Sequence, residues 1–268
     1  MIMENLPYIQ ENYPWSTFRI TVTAETADRL FENLMFAGEM GFEHVFAIIN
    51  EFEEWPEEAR KLVEIEMLKY SLYVIDACRC EQPFVKMRPW EQAINKIVAL
   101  NTVVAAYDGE DIPEVGPEEM TKCGLGGGYG SVNYKGDIFS CQEVASREGE
   151  KSRFYIGNIY DGIDEERLSS LRNDFVNRPI KTYNYEHPEK CATCGLRKAC
   201  RANLCQVNNY ILHKDFGANP DCWCWWNNLM KDSAQMVMEI LGYHKNEFFR
   251  DYLKEELTDP GGPFAYAK

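Results

Sequence analysis

The chain is 268 residues long, 45% apolar and 13% aromatic, with 43 acidic against 28 basic side chains and a formal net charge of -15. That length makes one large domain or two smaller ones with ordinary buried cores. The negative charge repels phosphate backbones and anionic lipid alike, which excludes nucleic acid as a natural partner. No apolar run is long enough to cross a bilayer. The opening residues, MIMENLPYIQENYPW, carry acids and prolines where a signal peptide has a basic head and an apolar stretch, so a cytoplasmic protein with no membrane partner is expected.

In chain order, TFRITVT (17–23) alternates as a strand, and Thr23 is placed to cap a helix over 24–40. Within that helix Ala27, Leu30, Leu34, Ala37 and Met40 recur at helical spacing, and Gly41 ends it. Residues 43–49 read as a buried strand, Pro56 opens a long helix running to Ala77, and a strand over 83–87 leads to a helix over 89–101. This alternation argues for parallel strands joined through helices, as in open α/β sheets or β/α barrels, and about three strand–helix pairs are too few to close a barrel.

The stretch YDGEDIPEVGPEEMTK, rich in acid, proline and glycine, sets a boundary near residue 108. Beyond it SVNYKGDIFSC (131–141) has the signature of a hairpin around Lys135 and Gly136, and RFYIGNI (153–159) leads into a helix over 164–176. Residues 225–243 read as a helix with Leu229, Met236 and Ile240 on one face, and DPGGPFAYAK as a loose tail. The expected organisation is α+β. A β/α segment spans 1–108, a cysteine-rich segment 109–225 and C-terminal helices 226–257, with a flexible tail over 258–268.

Eight of the ten cysteines fall between Cys123 and Cys224. In a reducing compartment clustered thiols mark metal binding or catalysis rather than disulfides. The spacing is Cys123-x12-Gly136-x4-Cys141, then Cys191-x2-Cys194-x5-Cys200-x4-Cys205, then Cys222 and Cys224. A two-residue gap lets a tight turn aim both thiolates at one centre while the intervening amides bond to sulfur. A four-cysteine structural zinc site is one reading. The isolated Cys123 and Cys141 and the unequal gaps between 191 and 205 favour iron–sulfur over zinc. The glycine run 124–130 lacks the Gly-Lys-Ser/Thr of a phosphate loop and suits backbone wrapped around a cluster held by Cys123. Cys78 and Cys80, at the end of an apolar helix, read as chance core or surface thiols.

Cys123, Gly136, Cys141, Cys191, Cys194 and Cys200 stand in the register Cys-x9–15-Gly-x4-Cys, a gap, then Cys-x2-Cys-x5-Cys. In this the sequence resembles the C-terminal part of radical S-adenosylmethionine enzymes that carry a SPASM domain, a family that matures ribosomal peptides or modifies other enzymes. The resemblance implies part of a TIM-like barrel followed by a SPASM domain with two auxiliary 4Fe-4S clusters. Cys123, Cys141 and Cys205 would ligate the first. Cys191, Cys194, Cys200 and a late cysteine would ligate the second, with Cys224 favoured over Cys222 because Trp225 and the long helix follow it. Two departures stand out: the gap from Cys200 to Cys205 is four residues where the family has three, and no extra cysteine follows Cys123.

The family's chemistry also needs a Cys-x3-Cys-x2-Cys loop, which this sequence lacks; His187-x3-Cys191-x2-Cys194 is the nearest pattern and lies in the wrong segment. Arg19 occupies a strand position where relatives can place an arginine against S-adenosylmethionine, although pairing with a nearby carboxylate is the plainer role. The chain is therefore expected to be the distal portion of a longer or split maturase of peptides or proteins. It would use S-adenosylmethionine only with an N-terminal radical half supplied, and it implies an electron donor. The alternative is a non-catalytic iron–sulfur or electron-transfer module.

Overall fold

The computed structural model describes residues 3–13, 16–94, 97, 130–145, 152–177, 206–214, 221–242 and 246–258. The fold is mixed α+β and divides into two units, Met1–Glu110 together with Trp225–Lys268, and Asp111–Cys224.

In the first unit β1 (Phe18–Val22), β2 (His44–Ile49) and β3 (Lys86–Met87) form a parallel sheet in that order, with Phe18 opposite Val45 and His44 opposite Lys86. The period of two puts Ile20, Val22, Val45, Ala47 and Ile49 in the core. Among the described residues this sheet has three strands and is not closed.

The helix expected over 24–40 is split into a 3₁₀ segment, Ala24–Arg29, and α2, Leu30–Glu39. Thr23 and Thr26 cap each other reciprocally, and this holds Thr26 at non-helical angles. A regular helix starts only after that box. Phe31 N–H, one of its first amides, donates to the buried Glu66 carboxylate at 2.9 Å. α1 (Leu6–Asn12), which no sequence signal marked, buries none of its residues.

α3 runs Glu57–Arg79, with Pro56 as its cap rather than its first residue. Its buried stripe includes Val63, Met67, Tyr70 and Val74. Tyr70 ties it to the third strand, its hydroxyl accepting Met87 N–H at 3.1 Å and donating to Val85 O at 3.0 Å. Residues 88–94 form α4.

The expected stripe of the late helix, α7 (Asp221–Leu241), is corrected. Ile240 is exposed, and the buried row is Trp226, Met230, Ala234, Val237 and Leu241. That row carries five apolar side chains, Trp226 among them, against three on the expected one, so the larger apolar face turns inward. Ser233, on that row, is satisfied there: it lies 2.6 Å from the Ser71 hydroxyl of α3 and accepts Trp90 Nε1–H of α4 at 3.1 Å. At the start of α7 the Trp225 ring tilts against Trp55, with centroids 5.3 Å apart at 39°; Trp225 Nε1–H donates to Glu64, and Arg60 lies over its ring. α8 (Glu247–Thr258) is held by Tyr252, whose hydroxyl donates to the buried Glu91 at 2.6 Å.

The second unit is built on an antiparallel sheet of β4 (Ser131–Val132), β5 (Asp137–Phe139), β6 (Tyr155–Asn158) and β7 (Gly162–Ile163), with α5 (Glu165–Asn177) and α6 (Gln206–His213). Its core gathers Phe139, Cys141, Phe154, Ile156, Leu168 and Val207. The expected tail beyond residue 258 lies outside the described residues. Among the described residues no helix is long and apolar enough to cross a membrane.

Candidate metal centre

The Gly-x4-Cys spacing acquires a shape in the second unit. The hairpin reverses through Asn133, Tyr134, Lys135 and Gly136, closed by Gly136 N–H to Asn133 O at 3.0 Å. Gly136 has φ +86, the left-handed conformation that closes such a loop and that a side chain resists. β5 then delivers the chain to Cys141. Ser131 Oγ donates to the Cys141 carbonyl at 3.0 Å and Ser140 N–H donates to Phe154 O at 2.9 Å, so the backbone on both sides of the sulfur is fixed by the sheet. Gly130, the last of the glycine run, passes so close to β5 that an added Cβ would lie 2.7 Å from Phe139 O.

The Cys141 side chain is buried among the apolar residues of this core. Beside it Ser140 is fully buried, and its hydroxyl has no hydrogen-bond partner among the described residues. A hydroxyl buried without a partner asks for an acceptor. Cys141 follows Ser140 in extended backbone, φ -151 and ψ 142, so the thiol and the hydroxyl leave the chain on opposite faces.

Of the other cysteines read as ligands, Cys123, Cys191, Cys194, Cys200 and Cys205 lie outside the described residues, as do His187 and glycines 124 and 126–128. Cys222 and Cys224 are described: both stand in the first turn of α7, Cys222 buried and Cys224 half-buried. Residues two apart on a helix project to different sides, so these two do not serve one centre from this geometry. Because the helix begins at Asp221, ahead of both, its position does not favour Cys224 over Cys222. Among the described residues no three His, Cys, Asp or Glu side chains gather in one place.

Arg19 sits on β1 opposite Phe46, and its guanidinium lies over that ring, 5.8 Å from the centroid, a cation–π contact. Cys78 is buried, and burial pushes its thiol up to about 12. It is a core residue with little thiolate, whereas Cys80 is exposed. Sequence reasoning did not single out Ser140, nor Asp137, whose buried carboxylate accepts Asn133 Nδ2–H at 2.9 Å and Asn158 Nδ2–H at 3.0 Å and so braces the hairpin that leads to Cys141. The only early signal was an Asn at the mouth of the turn, a residue suited to bonding its own backbone.

No family model matches this chain, and no curated protein matches it.

Proposed function

We propose that the chain is the distal portion of a radical S-adenosylmethionine maturase with a SPASM domain, acting on a peptide or protein and holding two auxiliary 4Fe-4S clusters. The supporting observation is the register from Cys123 through Gly136 and Cys141 to Cys191, Cys194 and Cys200. Its Gly136-to-Cys141 step falls on a glycine at positive φ and a sulfur buried at the end of β5. In this reading residues 1–108 correspond to the later part of a TIM-like barrel and 109–225 to the SPASM domain, followed by C-terminal helices to residue 257 and a tail. Cys123, Cys141 and Cys205 hold the first cluster. Cys191, Cys194, Cys200 and one of Cys224 or Cys222 hold the second. Bound clusters supply electron transfer and anchoring of substrate. The chain's own part is to exclude water around Cys141, whose side chain is buried among Phe139, Val144, Phe154 and Ile156. Arg19 is the residue that would meet S-adenosylmethionine once a polypeptide carrying Cys-x3-Cys-x2-Cys is supplied.

The test is anaerobic reconstitution with iron and sulfide. A brown protein with matching iron and acid-labile sulfide is expected, and Cys194→Ser should lose iron and melting temperature together, because ligand-cage energy is partly folding energy. A colourless protein containing zinc and no sulfide would establish the structural zinc reading instead. Addition of a polypeptide with the missing triplet should restore reductive cleavage of S-adenosylmethionine. Cluster binding without any such cleavage would leave the electron-transfer module as the function.

A further inference from the structure

Two turns of the second unit stand side by side and expose their apolar side chains. Tyr134 is 94% exposed and Tyr160 84%, the two most exposed large apolar residues among those described, and Ile159, Val132 and Ile163 stay 54%, 54% and 50% exposed. The turns are joined, with Ile159 N–H donating to Gly136 O at 2.8 Å. The Ile159 side chain lies against Gly136, where an added Cβ would meet it at 2.8 Å. The sheet register runs Val132, Ile138, Gly157, Ile163 across the four strands, so these residues share one face, with Val132 and Ile163 half-exposed on the outer strands and Gly157 placing no side chain between Ile138 and Ile163.

These tips are braced. Asn133 Oδ1 accepts the N–H of Lys135 at 2.9 Å and of Asp137 at 3.0 Å, Asn158 Oδ1 accepts Tyr160 N–H at 3.1 Å, and the Asp137 carboxylate ties the two asparagines together. Tyrosines on fixed turns bury large area on binding with little ordering cost, and tyrosine is enriched where binding energy concentrates. The rim supplies the charge: Asp161, Asp164, Glu165 and Glu166 are all exposed. Opposing them are Lys135, drawn over the Tyr134 ring, and Arg167, held by Asp164 and the Tyr155 ring. An acidic rim on a chain of net charge -15 repels anionic lipid and nucleic acid, and it would meet its own like charge across a pair of copies.

We propose that the paired hairpin tips dock a segment of a partner polypeptide in which basic residues alternate with apolar ones. The proposal does not depend on iron–sulfur binding. Its test uses the full chain and two labelled synthetic peptides, one alternating Lys with Leu and the other Glu with Leu, with fluorescence anisotropy as the readout. The Lys/Leu peptide should bind and the Glu/Leu peptide should not. Tyr134→Ser combined with Tyr160→Ser leaves every charge in place and, both side chains being exposed, should leave the melting temperature unchanged. It should weaken binding about tenfold or more. Asp161→Asn with Glu165→Gln and Glu166→Gln should weaken binding and flatten its salt dependence. Undiminished binding by the double serine variant would overturn the proposal, by showing only diffuse attraction to an acidic chain. Equal binding of both peptides would also overturn it, as would a tip-dependent affinity for vesicles or a tip-dependent dimer in place of peptide binding.

Discussion

Replacing Gly157 by alanine tests whether the sheet of the second unit is built as described. Gly157 has φ +139, a conformation side chains rarely adopt, and an added Cβ would sit 2.2 Å from Gly162 O, 3.0 Å from Ile163 Cα and 3.1 Å from Asp164 N. Every one of those atoms is backbone, so no side chain can swing aside. The conformational cost is about 1–3 kcal/mol. Relieving the clash requires β7 to leave β6, which removes the pairing of Gly157 with Ile163 and of Asn158 with Gly162, and the bond from Asp164 N–H to Ile156 O. At roughly 0.5–1.5 kcal/mol for each of these three losses, added to the strain, the total is about 2.5–7.5 kcal/mol. Gly162 is the control. It also has positive φ, +88, but an added Cβ meets nothing within 4 Å, so alanine there should cost only about 1–2 kcal/mol of backbone strain. Urea unfolding followed by circular dichroism, with hydrogen exchange over residues 155–164 read by mass spectrometry, should rank the variants clearly apart. Equal midpoints and equal exchange for the two would refute the placement of β7 against Gly157.

Tyr70→Phe should destabilise the first unit by about 1–3 kcal/mol in the same unfolding assay, because Met87 N–H and Val85 O are left buried without their shared hydroxyl. Tyr252→Phe should cost about 1.5–3 kcal/mol, since the 2.6 Å bond it removes ends on a buried carboxylate; an unchanged midpoint would contradict that contact. At neutral pH a maleimide should modify Cys80 promptly and Cys78 only after unfolding, as mapped by mass spectrometry of the modified chain. The Cys78 thiol ionises near 9 when unfolded and at about 12 when folded, so its burial also predicts that stability falls as pH rises above 9 through that window.

Local spacing carried most of what sequence reasoning recovered. Of the five apolar positions expected on one face, Ala27, Leu30, Leu34 and Ala37 are buried and Met40, at the cap, is half-buried, and the parallel order of the first three strands follows from the helices between them. The stripe of the late helix was misread although it is local, because Trp226, Met230, Ala234, Val237 and Leu241 form a larger apolar row than Leu229, Met236 and Ile240. The other failures depend on length or on partners distant in sequence. α1 and α6 are too short to show a period, and α1 buries nothing that could have produced one. At the candidate centre the hairpin glycine and Cys141 were legible because a turn followed by a short strand is a local object. The bridging of Asn133 and Asn158 through Asp137 was not, because it depends on the register of a strand some twenty residues later.

The tilted indoles of Trp55 and Trp225 give the molecule an optical consequence of its own. Rings 5.3 Å apart couple their electronic transitions, so the chain should carry an exciton couplet in its far-ultraviolet dichroism that neither chromophore produces alone. Trp225 directly follows Cys224 in sequence, so the amplitude of that couplet reports, without any attached dye, whether the beginning of the long helix keeps its seat when the neighbouring thiol is alkylated.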